Sequence, residues 1–313
     1  MPFDTPFTVQ SPSGAALSVR MAAPDAGPRA IVHINHGLAE HCARYARFAA
    51  ALTEAGFTVI AHDHRGHGAT TASDAPKGTF KAGRGSGVDA VMEDCRAVQD
   101  HARAECHDVP VIMFGHSMGG LITMNYALRN AEHLAGAAVW NSNFTGGLQG
   151  RMGQALLAYE RMRLGSDVPS RIMPKLTFHD WAGRIEDPRT DFDWLSRIPA
   201  EVDAYIADPD CGWDTSVSLW QDIMRMVFAG GRLDGVKDAA RDLPFMLVGG
   251  GEDPATFGGD AVETQANRMR GAGFAQLTHK HYPNARHETL NDLDGPKAIA
   301  DFNAWATSIL EGR

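Results

Sequence analysis

The sequence predicts an α/β protein: a mostly parallel sheet flanked by helices, with a helical cap inserted into it. Three observations predict it. Short apolar runs alternate with amphipathic stretches along most of the chain, the pattern of strands covered on both faces and joined by helices. One run, Val111 to Phe114, breaks into Gly115-His116-Ser117-Met118-Gly119 and continues at helical spacing through Leu121, Met124 and Leu128. Between about Thr145 and Asp242 the alternation stops. Helical pieces separated by proline- and aspartate-rich turns take its place.

In chain order, Ala16 to Ala22 has a strand-like apolar pattern, and Ala30 to Asn35 reads as a buried strand ending in His36-Gly37-Leu38. Arg44 to Ala55 places Tyr45, Phe48, Ala49 and Leu52 at helical spacing and stops at Gly56. Phe57 to Ala61 is a third apolar run, Val88 to Ala104 an amphipathic helix, and Ala135 to Trp140 another buried strand. In the interruption, Leu148 to Arg163 and Ser216 to Phe228 read as helices. The alternation resumes with a strand over Pro244 to Val248 and a helix from about Asp260 to Arg270. A strand near Gln276 to Tyr282 and a last helix from about Pro296 to Leu310 complete it. The expected division is a core of residues 1–144 and 243–313 and a helical cap, or lid, of residues 145–242.

A chain of 313 residues can bury a sizeable core. The formal charge of −9 argues against nucleic acid and against electrostatic docking to an anionic bilayer. No run approaches the roughly 18 apolar residues of a membrane span, so no stable membrane insertion is expected. Met1 to Gln10 lacks the basic and apolar segments of a signal peptide. Cys42, Cys95, Cys106 and Cys211 are scattered and read as reduced thiols. Together these set the expectation of a cytoplasmic protein.

Gly-His-Ser-Met-Gly between a strand and a helix is the G-x-S-x-G elbow in the context it requires. A serine at the tip of so tight a turn is strained, and neighbouring side chains would clash, so Gly115 and Gly119 flank it. His116 completes the turn. Ser117 Oγ is then expected above the carboxyl edge of the sheet, at the positive end of the following helix. An activated serine needs a base, and the base an orienting acid, in the chain order Ser, Asp or Glu, His. Asp253 follows a strand and three glycines, with Glu252 and Asp260 as rivals for the acid. His287 lies in the loop before the final helix, where it could reach Ser117. His279 and His281 are rivals but sit in strand-like sequence, where they would be ordinary surface residues. The loop His36-Gly37-Leu38-Ala39-Glu40-His41 should supply an oxyanion donor, Gly37 allowing close approach. The backbone N–H groups of Leu38 and Met118 would form the hole.

These segments resemble the monoacylglycerol lipase and lysophospholipase group of the α/β-hydrolase superfamily. The resemblance rests on four motifs in order: His36 to His41 with Arg44-Tyr45, the run His62-Asp63-His64-Arg65-Gly66-His67-Gly68, the Gly-His-Ser-Met-Gly-Gly elbow, and Ala285-Arg286-His287-Glu288. It implies Ser117 as nucleophile, Asp253 as acid, His287 as base, and Leu38 and Met118 as oxyanion donors. The cap is similar to that of bacterial lysophospholipase-like members through Asp208 to Trp213 and Ser218-Leu219-Trp220. Lys81 to Gly87 is richer in glycine than the resemblance leads one to expect. The implied activity is serine ester hydrolysis through an acyl-enzyme on a small-molecule acyl ester such as a lysophospholipid or monoacylglycerol. The same triad serves acyl transfer and amide hydrolysis, and an inactive hydrolase fold could serve as a binding protein.

The triad needs no metal or organic cofactor. His62-x-His64-x-x-His67 invites a metal reading, but Gly66 stands where an H-x-H-x-D-H site needs its aspartate, and the imidazoles are expected to hydrogen-bond to backbone instead. Gly83-Arg84-Gly85-Ser86-Gly87 is not a dinucleotide fingerprint, because no strand leads into it. In the cap, apolar stripes at Leu148, Met152, Leu156 and Tyr159 and at Ile223, Met224, Val227 and Phe228 could pack on the core or roof the serine. As an acyl pocket, Met152, Leu156 and Met224 are the residues expected to line it. Met162 and Met226 are further flexible candidates. The acidic loops Glu186 to Asp193 and Asp208 to Asp214 favour a neutral or zwitterionic headgroup over an anionic one.

Overall fold

The computed structural model describes residues 3–83, 85–107 and 109–312. Arg84, within the glycine-rich loop, lies outside them. Eight strands form one sheet: β1 (Phe7–Gln10), β2 (Ala16–Ala22), β3 (Ile31–Asn35), β4 (Thr58–His62), β5 (Val111–His116), β6 (Gly136–Trp140), β7 (Phe245–Gly250) and β8 (Leu277–Tyr282). Their order is β1-β2-β4-β3-β5-β6-β7-β8. β2 is antiparallel to β1 and β4, and all the other pairs are parallel. The helices are α1 (Ala46–Glu54), α2 (Gly87–Cys106), α3 (Met118–Asn130), α4 (Gly147–Leu164), α5 (Met173–Leu176), α6 (Phe178–Ala182), α7 (Pro199–Ala207), α8 (Val217–Gly230), α9 (Asp238–Asp242), α10 (Asp260–Gly271) and α11 (Gly295–Glu311).

Alternate residues of each central strand feed two cores, one on each face of the sheet. Val111, Met113, Ala137 and Val139 face α2, α3 and α10 through Val91, Ile122 and Val262. Ile112, Phe114, Ala138 and Trp140 meet α1 and α11 through Phe48, Phe302 and Trp305. Every residue of β3 to β7 is buried. That is why these strands read as unbroken apolar runs. The α/β expectation is met. β1 was not legible: its four residues alternate between half-buried and exposed, too short a pattern to stand out.

The stretch between β6 and β7 holds α4 to α9 and no named strand. It is tied down at α8, where Asn125 of α3 donates to the Met226 carbonyl (2.9 Å) and Asp222 accepts from Gly87 N–H (3.0 Å). α4 in turn lies on α8 through its glycine face. A Cβ on Gly150 would come within 3.1 Å of Phe228 Cζ and 3.2 Å of Met224 Cε.

Candidate active site

The carboxyl ends of β3, β5, β6, β7 and β8 bring the expected residues together. β5 ends at His116, and Ser117 follows with φ +54°, a left-handed conformation strained for a non-glycine residue. Its N–H donates to the Trp140 carbonyl (2.9 Å), and the Ser142 hydroxyl donates to its carbonyl (2.8 Å). A side chain on Gly115 would overlap the Gly119 carbonyl, and one on Gly119 would overlap the Asn35 carbonyl. The turn therefore needs both glycines.

His287 Nε2 lies 2.9 Å from Ser117 Oγ, and His287 Nδ1 lies 3.0 Å from Asp253 Oδ1. Asp253 is fully buried in the turn after β7. Its Oδ1 also accepts from Ala255 N–H (2.9 Å), and its Oδ2 accepts from the Thr256 hydroxyl (2.7 Å) and Asn141 Nδ2 (3.2 Å). Burial alone would raise the carboxyl pKa. The His287 charge and the bonds from His287, Thr256 and Asn141 outweigh it and hold the group below its ordinary value. An ionised Asp253 can accept from Nδ1–H, an arrangement that would turn the lone pair of Nε2 toward Ser117 Oγ. The rivals are set apart. Glu252 is exposed and pairs with Arg197 (2.8 Å), Asp260 is exposed, and His279 and His281 lie on β8.

His116 reaches from the elbow to the His287 loop, Nε2 donating to the His287 carbonyl (2.9 Å). Its Nδ1 lies 3.7 Å from Glu40 Oε1. Burial works to lower the imidazole pKa, but the Glu40 and Glu288 carboxylates and the His287 carbonyl raise it above the ordinary value. Glu40 accepts from Gly37 N–H, the Tyr45 hydroxyl (2.9 Å) and Arg44, and Arg44 grips Glu288 in two bonds of 2.7 and 2.8 Å. Burial works to raise the Glu40 carboxyl, yet Arg44 and His116 hold it well below its usual range. This network fixes the turn that carries Leu38. Glu40, Arg44 and Tyr45 stand in the quoted motifs, but nothing local in sequence shows that Arg44 reaches Glu288. Trp181 and Trp194, with ring centroids 6.2 and 5.1 Å from His287, were equally invisible.

Ser117, His287, Leu38 and Met118 line a cavity of about 330 Å³, roofed by Phe178, Trp181, Trp220, Ile223 and Met224. Two of the three expected acyl-pocket residues are not there. Leu148, Met152 and Leu156 are 75, 58 and 37 % exposed. Gly146, just before α4, and Gly150 face α8, and Leu148 and Met152, each two residues further on, lie about 200° round the helix. The small glycine face, not the apolar stripe, meets α8. Of the other methionines, Met162 is exposed and Met226 is buried in the core beside the sheet, so Met224 alone of the four lines the cavity.

His62, His64 and His67 are buried with His33 and His36 in a stack of imidazoles. The expectation of backbone hydrogen bonds holds for His67, whose Nδ1 lies 3.1 Å from the Arg65 carbonyl. His62 pairs with His33 (3.2 Å), and neither ring nitrogen of His64 has a partner among the described residues. Among the described residues their nitrogens do not converge as metal ligands.

The profile of the family described as serine aminopeptidase, S33, matches residues 26–294. The chain belongs to this family. It is 28% identical to the monoacylglycerol lipase of Mycolicibacterium smegmatis, over 92% of this chain and 91% of the relative. It is 28% identical to the monoglyceride lipase of Mus musculus, over 97% and 90%. Among solved structures, a carboxyl esterase from Bacillus coagulans superposes with a TM-score of 0.84 at 25% identity, covering 98% of each chain. This member of the S33 family is thus an α/β-hydrolase, and a lipase- and esterase-like enzyme. No helix among its described residues is long and apolar enough to cross a membrane.

Proposed function

We propose that this enzyme hydrolyses neutral acyl esters, monoacylglycerols above all, through a Ser117–His287–Asp253 triad and a covalent acyl-enzyme. The observation that carries the reading is the pair of contacts at His287, 2.9 Å to Ser117 and 3.0 Å to Asp253, at the base of an apolar cavity. His287 Nε2 takes the Ser117 proton as Oγ attacks the ester carbonyl. The backbone N–H groups of Leu38 and Met118 receive the oxyanion, aided by the positive end of α3. His287 then gives its proton to the departing alcohol, and water repeats the sequence to release the acid.

Residues 145–242 act as the cap over this site, their aromatic and aliphatic side chains holding the acyl chain. Relatives named monoacylglycerol and monoglyceride lipase support that substrate class. The charge at the polar wall supports a neutral headgroup, because Glu40 and Glu288 face the single guanidinium of Arg44. Fluorophosphonate labelling of Ser117 tests the nucleophile. An ester panel comparing monoacylglycerol, lysophosphatidylcholine, lysophosphatidate and an acyl anilide tests the substrate. A preference for lysophosphatidate or the anilide would overturn the neutral-ester reading.

A further inference from the structure

Three metal-binding side chains converge where the cap meets the turn after β3. His41, Asp208 and Cys211 bring an imidazole nitrogen, a carboxylate oxygen and a thiol sulfur within 4.8 Å of one another. His41 closes the turn that carries Leu38. Asp208 caps α7, and Cys211 follows three residues later, its N–H donating to the Asp208 carbonyl (3.0 Å) so that both side chains emerge from one turn.

The ligands are already held. Asp208 Oδ1 accepts from Asp210 N–H (2.9 Å), which aims Oδ2 at His41 Nε2, 2.8 Å away. The two segments are joined at Ala39, whose carbonyl accepts from Gly212 N–H (2.9 Å) and the Tyr205 hydroxyl (3.0 Å). Cys211 is only 9 % exposed, and its Sγ makes no hydrogen bond among the described residues. Cys95 and Cys106, by contrast, have side-chain partners at Asn35 and Thr58. Charge of both signs surrounds the turn, where Lys77 Nζ pairs with Asp210 Oδ1 (2.9 Å). Glu40, Glu288 and Asp208 all act on Cys211, with Arg44 as the cation opposing them.

We propose that His41, Asp208 and Cys211 bind a divalent transition-metal cation of the zinc class, pinning the cap to the turn that bears Leu38. A thiolate, an imidazole and a carboxylate suit zinc, whereas magnesium and calcium take oxygen ligands. Three protein ligands leave a fourth position for water. On binding, the Cys211 S–H proton passes to solvent, and the His41–Asp208 hydrogen bond gives way to one bond from each residue to the metal. The His41 proton then resides on Nδ1. The site does not depend on the esterase reading, since the metal would bind whatever Ser117 does.

The test uses the full chain carrying Cys106→Ser, which removes the most exposed thiol. Added Co²⁺ is expected to give a sulfur-to-metal charge-transfer band, and added Zn²⁺ to slow iodoacetamide alkylation of Cys211, read by peptide mass spectrometry. His41→Gln and Asp208→Asn should each weaken Co²⁺ binding by about 10–100-fold, the scale on which even outer partners of a metal site count. Two variants keep the test intact if one fails to fold. The absence of the band together with Zn²⁺-independent alkylation overturns the site. So does Co²⁺ affinity that is unchanged in both variants.

Discussion

Ser117 Oγ and His287 Nε2 lie 2.9 Å apart although 170 residues separate them in sequence. The contact is set by backbone on both sides. The strained turn after β5 fixes the serine, and the His287 loop is held by His116, by the Trp194 carbonyl on His287 N–H (3.3 Å) and by the Leu195 carbonyl on Glu288 N–H (2.8 Å). The last two partners belong to residues 145–242, the proposed cap. The proposed base is thus positioned jointly by the elbow and the proposed cap, and movement of residues 145–242 would act on it directly.

Ser117→Ala should fold as the parent does, because the strain resides in backbone that alanine shares. Ester turnover should fall by roughly 10⁶-fold, the scale seen when a serine protease loses its nucleophile. Retention of more than a few per cent of activity in a preparation free of wild-type enzyme would show that another group attacks the ester.

Asp253→Asn removes the charge that faces the imidazole and presents an amide that can act as donor, which favours the wrong tautomer. The expected loss is up to about 10⁴-fold in kcat, with KM for a short ester nearly unchanged. Glu252→Gln is the control. Its carboxylate is exposed on Arg197, so it should behave as wild type. Equal losses in the two variants would remove Asp253 from the triad.

What was legible in the sequence follows the range of the constraint. The elbow is local: Gly115 and Gly119 are required by atoms close in sequence or on the adjoining strand end, so the pentapeptide between strand and helix announces itself. The buried strands were legible because both faces are covered. The face that α4 turns inward was not. Its apolar stripe suggests the roof, yet Phe228 of α8 leaves no room for a side chain at Gly146 and little at Gly150, and that depends on a helix some 70 residues away. The Arg44–Glu288 bridge spans 244 residues and has no sequence period to betray it. The short helices α5, α6, α7 and α9 carry at most nine residues each and were hidden for the same reason.

The imidazole stack makes stability depend on pH. Burial lowers the pKa of His36, His62 and His64 and brings His33 and His67 to about 3, outweighing at His36 and His67 the Glu40 and Asp63 carboxylates that work to raise it. These folded values lie below the ordinary value of about 6.5, so the contribution is fully present above that pH. It is lost as pH falls from about 6.5 towards 3, where the unfolded chain binds protons that the native state refuses. Each such group removes at most about 1.4 kcal/mol per pH unit, so His33 and His67 together remove up to about 3 kcal/mol per pH unit. Urea titrations should show stability falling steeply between pH 6.5 and 5, with acid unfolding before most carboxylates titrate. His67→Gln should flatten the slope. Stability that stays level from pH 7 to 5 contradicts the neutral stack.

The roof sets the last expectation, which distinguishes α8 from α4. Each acyl methylene buried against Phe178, Trp220, Ile223 and Met224 adds up to about 0.8 kcal/mol of transition-state binding, or at most roughly fourfold in kcat/KM. Activity should therefore climb with acyl length until the cavity of about 330 Å³ is filled, then level off or fall. Met224→Ala removes part of the wall and should flatten the climb while leaving acetyl-ester hydrolysis nearly intact. Met152→Ala, on the outer face of α4, should leave chain-length preference unchanged. A profile altered by Met152→Ala and untouched by Met224→Ala would mean that α4 turns its apolar stripe over the serine during turnover, and the assignment of the acyl wall to α8 would have to be abandoned.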